Sequence, residues 1–285
     1  MKEYKLITSS GCDSATDFNP CRSIETIWIN RSLIHALVKR QLAERYRGSF
    51  LGAAWTVVTP LLFLLIYTFV FSTVMKAKWG VLPDEGGVQF AMALFCGLIP
   101  WGIFSETTVQ APTLILSNPS YVTKTVFPLE VLSVVSVLSA AARSLAGVLI
   151  LMAGVTFFAG GLNWTVVLFI IPLAGAVMLS MGISWFLASL GVFVRDCAHT
   201  VSVLVSLLFF LTPIVYPLPS VPQRLRPLFY LNPFTHIVES SRNVVIWGRM
   251  PDWPWLLTSL AISAVIFYLS HVFFMKTKRT FADVI

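Results

Sequence analysis

Apolar and polar residues alternate in long blocks along this chain. Six apolar blocks, at 55–75, 88–111, 131–158, 165–194, 201–216 and 255–275, are separated by short polar segments. A helix needs about 20 mostly apolar residues to cross ~30 Å of hydrocarbon. Inside a bilayer the backbone must satisfy its own hydrogen bonds, which helices do segment by segment. The blocks therefore predict an all-α integral membrane protein with six transmembrane helices. Pro100 and Pro172 fall within the second and fourth blocks. Such prolines are tolerated where neighbouring helices satisfy the carbonyls they free.

Two stretches follow other patterns. In 28–50, Leu33, Ile34, Leu37, Val38, Leu42 and Ala43 recur at helical spacing, while Arg31, Lys39, Arg40, Glu44, Arg45 and Arg47 fill the gaps. That pattern predicts an N-terminal amphipathic interface helix, lying in the plane of the membrane surface. In 217–254, Pro217, Pro219, Pro222, Pro227 and Pro233 cut the chain into apolar pieces too short to cross. A re-entrant helical segment, dipping in and returning to one side, accommodates them. Residues 1–27 are polar and aperiodic, a tail with no apolar signal core. The expected organisation is thus a tail at 1–27, an interface helix at 28–50 and one six-helix transmembrane domain at 51–285, with the re-entrant segment inside it.

Composition strengthens the membrane reading. Hydrophobic residues make up 56% of the chain and charged residues 12%, about half the globular norm of ~25%. Mean hydropathy is +0.80. A soluble domain of this size could not hide so much apolar surface. The net charge of +7 would suggest nucleic acid in a soluble protein, but here the positive-inside rule accounts for it without a nucleic-acid partner. Thirteen Lys and Arg lie on the side of the two termini and six on the other. That bias predicts cytoplasmic termini and an outward-facing re-entrant segment.

Catalytic signatures are missing. The sequence contains no GxxxxGK[ST], HExxH or GxSxG. Cys12, Cys21, Cys96 and Cys197 form no CxxC pair, and His35, His199, His236 and His271 are scattered. No metal site and no cofactor bound by this chain are expected. Transport is favoured over catalysis.

Three motifs then point to a family. Residues 46–55 read Tyr-Arg-Gly-Ser-Phe-Leu-Gly-Ala-Ala-Trp, followed by Pro60 and Tyr67. Val194, Arg195 and Asp196 precede the fifth block, which closes on Thr212, Pro213, Ile214, Val215 and Tyr216. Asn232, Pro233 and Phe234 are followed by Glu239 and Arg242. In this order the motifs resemble type-2 ABC exporter permeases, the membrane subunits of polysaccharide exporters, over residues 31–275. The resemblance implies a homodimer carrying two copies of a separate ABC ATPase, which would bind ATP and Mg. It also implies a bacterial inner-membrane location and a lipid-linked polysaccharide as cargo.

Individual residues carry competing readings. Phe63, Tyr67 and Phe71 recur every four residues along the first block, and Phe209, Phe210 and Tyr216 cluster late in the fifth. Sugar C–H faces stack on such rings, which suits the channel implied by the resemblance. Ordinary packing or lipid-facing rings would look alike. Arg40, Arg45 and Arg47 either guide an anionic lipid head at a cytoplasmic gate or anchor the helix to anionic lipid. The loop of Asn118, Tyr121, Lys124 and Phe127 resembles the segment that docks in the ATPase. Arg195 and Asp196 form either a local turn or a second ATPase contact. Arg143 lies within a span, where a charge costs roughly 2.5 kcal/mol or more and marks a partner or a wet cavity. Glu106 is the candidate partner. Glu239 and Arg242 stand three apart and can pair on a helix, or shape an outer exit.

The expected function is ATP-driven export of a lipid-linked polysaccharide, O-antigen first and capsule next. A drug or small-lipid exporter on the same fold, a membrane glycosyl- or acyltransferase, and a passive channel are the rivals.

Overall fold

The computed structural model describes residues 26–74, 87–123, 127–158 and 161–284. Among these the regular structure is entirely helical. Helix α1, Arg31–Tyr46, leads through a turn into α2, Trp55–Tyr67, which continues as a π-helical stretch over Thr68–Val74. Then come α3 (Gly87–Gln110), the short α4 (Pro119–Thr123), α5 (Glu130–Phe158), α6 (Ile170–Phe193) and α7 (Cys197–Phe210). After α7 follow α8 (Arg226–Leu231), α9 (Pro233–Val245), α10 (Trp253–Thr277) and α11 (Phe281–Val284).

Among the described residues, five helical stretches are long and apolar enough to cross a membrane: Gly52–Val70, Gly87–Thr113, Glu130–Phe158, Trp164–Phe193 and Trp253–Val284. The fifth block of the sequence yields a shorter apolar helix. Its 14 residues in α7 rise only ~21 Å, because the chain turns at 211–216, around Thr212 and Pro213. Apolarity alone cannot tell a helix from a buried turn, so the block ran on to Tyr216. Pro172 causes no break. It stands in the first turn of α6, where its missing N–H has no obligatory partner.

Helix α3 is the centre of the molecule, with 14 of its 24 residues buried. It packs against α5, α6 and α9. Helix α6 lies along α10 over its length. At Gly182 an added Cβ would stand 2.8 Å from Phe267 Cα. Small residues at helix contacts let backbones approach this closely where apolar lipid offers no hydrophobic drive. At Gly191 a Cβ would overlap the carbonyl oxygen of Pro112. Helix α2 is the opposite case and has no buried residue.

One end of the bundle gathers the beginning and the end of the described chain. Ile34 of α1 is buried in a cluster with Ile115, Leu129, Val192 and Phe281. Gln41 accepts a 2.8 Å bond from Ser139 of α5. At the other end Thr165 donates to the carbonyl of Val244 at 2.7 Å. There Trp255 stacks on Tyr230 and His236, with ring centres 5.2 and 4.9 Å away.

Candidate functional site

Helices α2, α3, α5 and α7 line an open cavity of about 860 Å³, which Arg45 of α1 borders. Its character changes along its length. Near α1 the lining is charged and polar, with Arg45, Glu106, Gln110 and Arg143. Further along α2 and α7 it is aromatic, with Phe63, Tyr67, Phe209 and Phe210. Thr56, Thr59, Ser202 and Ser206 add hydroxyls between.

The aromatic wall is continuous. Phe63 stacks on Tyr67 at 6.0 Å, and Tyr67 on Phe209 at 6.4 Å. Phe209 meets Trp101 at 5.7 Å, and Trp101 meets Phe234 at 5.5 Å. Such ring pairs add to simple area burial and fix one another's rotamers. The spacing along α2 puts Phe63 and Tyr67 on one face. Trp101 and Phe234, which complete the chain of rings, lie on other helices and leave no periodic trace in the sequence. Phe71 belongs to the π-helical stretch, and its side chain is outside the described residues. Tyr216 does not line the cavity. Its hydroxyl turns back to the Phe210 carbonyl, and its ring meets Phe229 edge-on.

The polar end is built on Glu106. Arg143 Nη2 lies 2.8 Å from Glu106 Oε1, and its Nε donates to Oε2 at 3.3 Å. Arg45 also reaches Oε1, and Gln110 donates to it at 3.3 Å. Arg40 faces away and pairs with Glu44 at 2.7 Å. The Glu44 hydrogen bond and charge raise the Arg40 guanidinium above its ordinary value, with a smaller contribution from nearby Tyr121. Arg47 is exposed beyond the end of α1.

A second polar centre lies at the far end. Arg242 is buried and donates to three carbonyls: Ala93 at 2.9 Å, Pro213 at 2.7 Å and Ile214 at 2.7 Å. It pairs with Glu239 at 2.8 Å. Asn232 caps α9 by accepting from the Phe234 amide at 3.0 Å, and donates to Thr212 at 2.9 Å. The second and third sequence motifs are therefore bonded to each other. Helical spacing foretold the Glu239 pair but not the three carbonyls.

The segment after α3 forms its own group. Asn118 donates to the Leu114 carbonyl at 2.9 Å. Tyr121 stacks on Phe127 at 4.4 Å and packs against the buried cluster that holds Ile34 and Phe281. Lys124 lies outside the described residues. Arg195 and Asp196 are exposed at the turn before α7 and make no ion pair with each other among the described residues. Also among the described residues, no three His, Cys, Asp or Glu side chains gather into a metal-binding group.

Comparison with known proteins adds a family. The ABC-2 type transporter family matches residues 32–246. The chain is 30% identical over 264 residues to the O-antigen export system permease protein RfbA of Myxococcus xanthus, covering 92% of this chain and 98% of that protein. It is 26% identical over 257 residues to an RfbA of the same description from Klebsiella pneumoniae, covering 89% and 95%. It is 26% identical over 234 residues to the polysialic acid transport protein KpsM of Escherichia coli, covering 79% and 85%. With three quarters of its length inside the family's match, the chain belongs to the ABC-2 type transporter family.

Proposed function

We propose that this protein is the permease subunit of an ATP-driven exporter of lipid-linked polysaccharide, with O-antigen as the cargo. The observation that carries this reading is similarity over almost the full length to permeases named for O-antigen export. The cavity suits such a cargo. Its charged end fits an anionic lipid head, and its rings offer faces on which successive sugars slide without one being fixed. Capsular polysaccharide is the second reading, favoured by the similarity to KpsM.

Six crossings with both termini in the cytoplasm fit best. A parity argument supports the sixth. Ile34 and Phe281 share one cluster, so the chain must cross an even number of times between them. Five long helices leave one crossing unassigned, between Phe193 at that end and Trp253 at the other. Helix α7 with the turn at 211–216 is the segment available. The stretch around α8 and α9 then serves as the re-entrant segment, with Glu239 and Arg242 bracing the exit.

In this reading two copies of the chain assemble, with α2 and α7 facing the channel, and two ATPase subunits hold ATP and Mg in the inner-membrane complex. The absence of any buried residue in α2 is what a helix awaiting a second copy would display. Asn118, Tyr121, Lys124 and Phe127 dock the ATPase, with Arg195 and Asp196 beside them. Arg40 and Arg47 meet the membrane surface.

The test combines purification with export. The tagged chain, extracted in mild detergent, should bring down a subunit that hydrolyses ATP. Replacing Tyr67 and Phe209 together by Ala should cut surface polymer strongly while that subunit still co-purifies. Undiminished polymer in the double variant, or a chain that purifies without ATPase, would refute the reading.

A further inference from the structure

Glu106 holds two guanidiniums at once. Arg143 grips both of its oxygens from α5, and Arg45 reaches Oε1 from α1. Among the described residues, one carboxylate between two arginines leaves this group with one uncompensated positive charge. The Arg143 side chain is 10% exposed, so Glu106 is committed chiefly to it and the surplus charge falls on Arg45. A structural ion pair would need one arginine only. The second comes from a helix outside the spans and is 47% exposed, at the border of the cavity. Guanidinium forks donate to phosphate oxygens in the same geometry as to carboxylate oxygens.

We propose that Arg143 and Arg45 form a binding site for the phosphate of a phosphate-bearing amphiphile, and that the Glu106 carboxylate occupies the phosphate's place in the empty state. The dimensions agree. Trp55 and Tyr67 both line the cavity and lie about 18 Å apart along α2. A ligand with its phosphate on the arginines would lay its next groups against Phe63 and Tyr67. A diphosphate carries at least two negative charges and can neutralise both arginines, whereas a phosphodiester carries one and only matches the carboxylate it replaces. The phosphate's arrival displaces Glu106 from Arg45, so loading frees the end of α1 from α3. That the occupant is the carrier diphosphate of a glycan rests on the export reading; the phosphate site rests on the geometry of Glu106.

The test uses the full chain, with any subunit that co-purifies, in phosphatidylcholine nanodiscs titrated with farnesyl diphosphate. Binding should be at least about tenfold tighter than that of farnesol, which lacks the phosphates. Arg143→Gln and Arg45→Gln should each weaken it about tenfold. Arg45 sits on the surface of α1, so that variant keeps the test valid if Arg143→Gln misfolds. Glu106→Gln should tighten binding, because an amide no longer competes for the arginines. Equal binding of farnesol, or a Glu106→Gln variant weakened like the arginine variants, would overturn the proposal. A second arm uses mixed phosphatidylcholine and phosphatidylglycerol discs. Displacement of the probe there assigns the site to a bilayer phospholipid, and its retention assigns it to the carrier diphosphate. No export is read in these experiments, so failure to bind farnesyl diphosphate overturns this site and leaves the export reading to its own test.

Discussion

Replacing Arg242 by Met is the sharpest test of how the far end of the fold is held. The guanidinium is 1% exposed and serves the carbonyls of Ala93, Pro213 and Ile214 together with Glu239. Methionine fills much of the volume but donates nothing. Each buried acceptor left without its donor costs ~1–3 kcal/mol, and Ala93, inside helix α3, suffers least because its second lone pair remains engaged. The carboxylate left behind, on Glu239, is 34% exposed and screened by water, so losing its partner adds ~1 kcal/mol or less. The carbonyls of Pro213 and Ile214, stranded outright, set the loss at about 4 kcal/mol. For a chain of this size that is a fall of roughly 7 °C in melting temperature. Arg242→Lys should recover little, since one ammonium cannot reach three carbonyls on two segments in a fixed fork. Glu239→Gln should cost less than Arg242→Met, because Glu239 is 34% exposed and the three carbonyls keep their donor. Thermal melting in detergent, followed by size-exclusion fluorescence, reads all three. An Arg242→Met variant melting within a degree or two of the parent would refute the bracing role.

Two more expectations concern packing and capping. Gly191→Ala should destabilise by about 2 kcal/mol through overpacking against the Pro112 backbone. Gly154→Ala, whose Cβ would meet Met92 Sδ at an ordinary 3.7 Å, should stay near the parent, and equal melting of the two variants would contradict the close approach. Asn232→Ala should cost about 1–2 kcal/mol by removing the cap of α9 and the bond to Thr212. Asn232→Asp keeps the cap and loses that donor, so its melting temperature should fall between.

The membrane character and most of the crossing helices were legible because hydrocarbon imposes both length and composition on a span. The Arg143 partner was legible for a related reason. A charge inside a span is so costly that few carboxylates can answer it, and Glu106 was available. The rest depended on contacts the one-dimensional pattern does not carry. Arg45 meets Glu106 across 61 positions and Arg242 meets Ala93 across 149. Tyr216 belongs to an apolar block, yet its hydroxyl turns away from the cavity to a backbone carbonyl. Aromatic spacing on α2 foretold one wall of the cavity. It gave no sign of Trp101 or Phe234, which carry that wall into the core.

The two arginine centres differ in a way that bears on movement. At Arg242 the donors meet backbone carbonyls, deep in the fold and away from competing water. Such bonds have no soluble rival and brace α3, α9 and the turn after α7 as one unit. At Glu106 the partner from α1 is half exposed, and an ion pair open to solvent is worth ~1 kcal/mol or less. It can be exchanged for water or for another anion at little cost. The two centres sit toward opposite ends of α3, one on Glu106 and the other on the Ala93 carbonyl. Rearrangement is therefore cheap where α1 meets the cavity and expensive where α9 grips the turn, so a force applied through α1 would open the charged end first and leave the braced end to respond last.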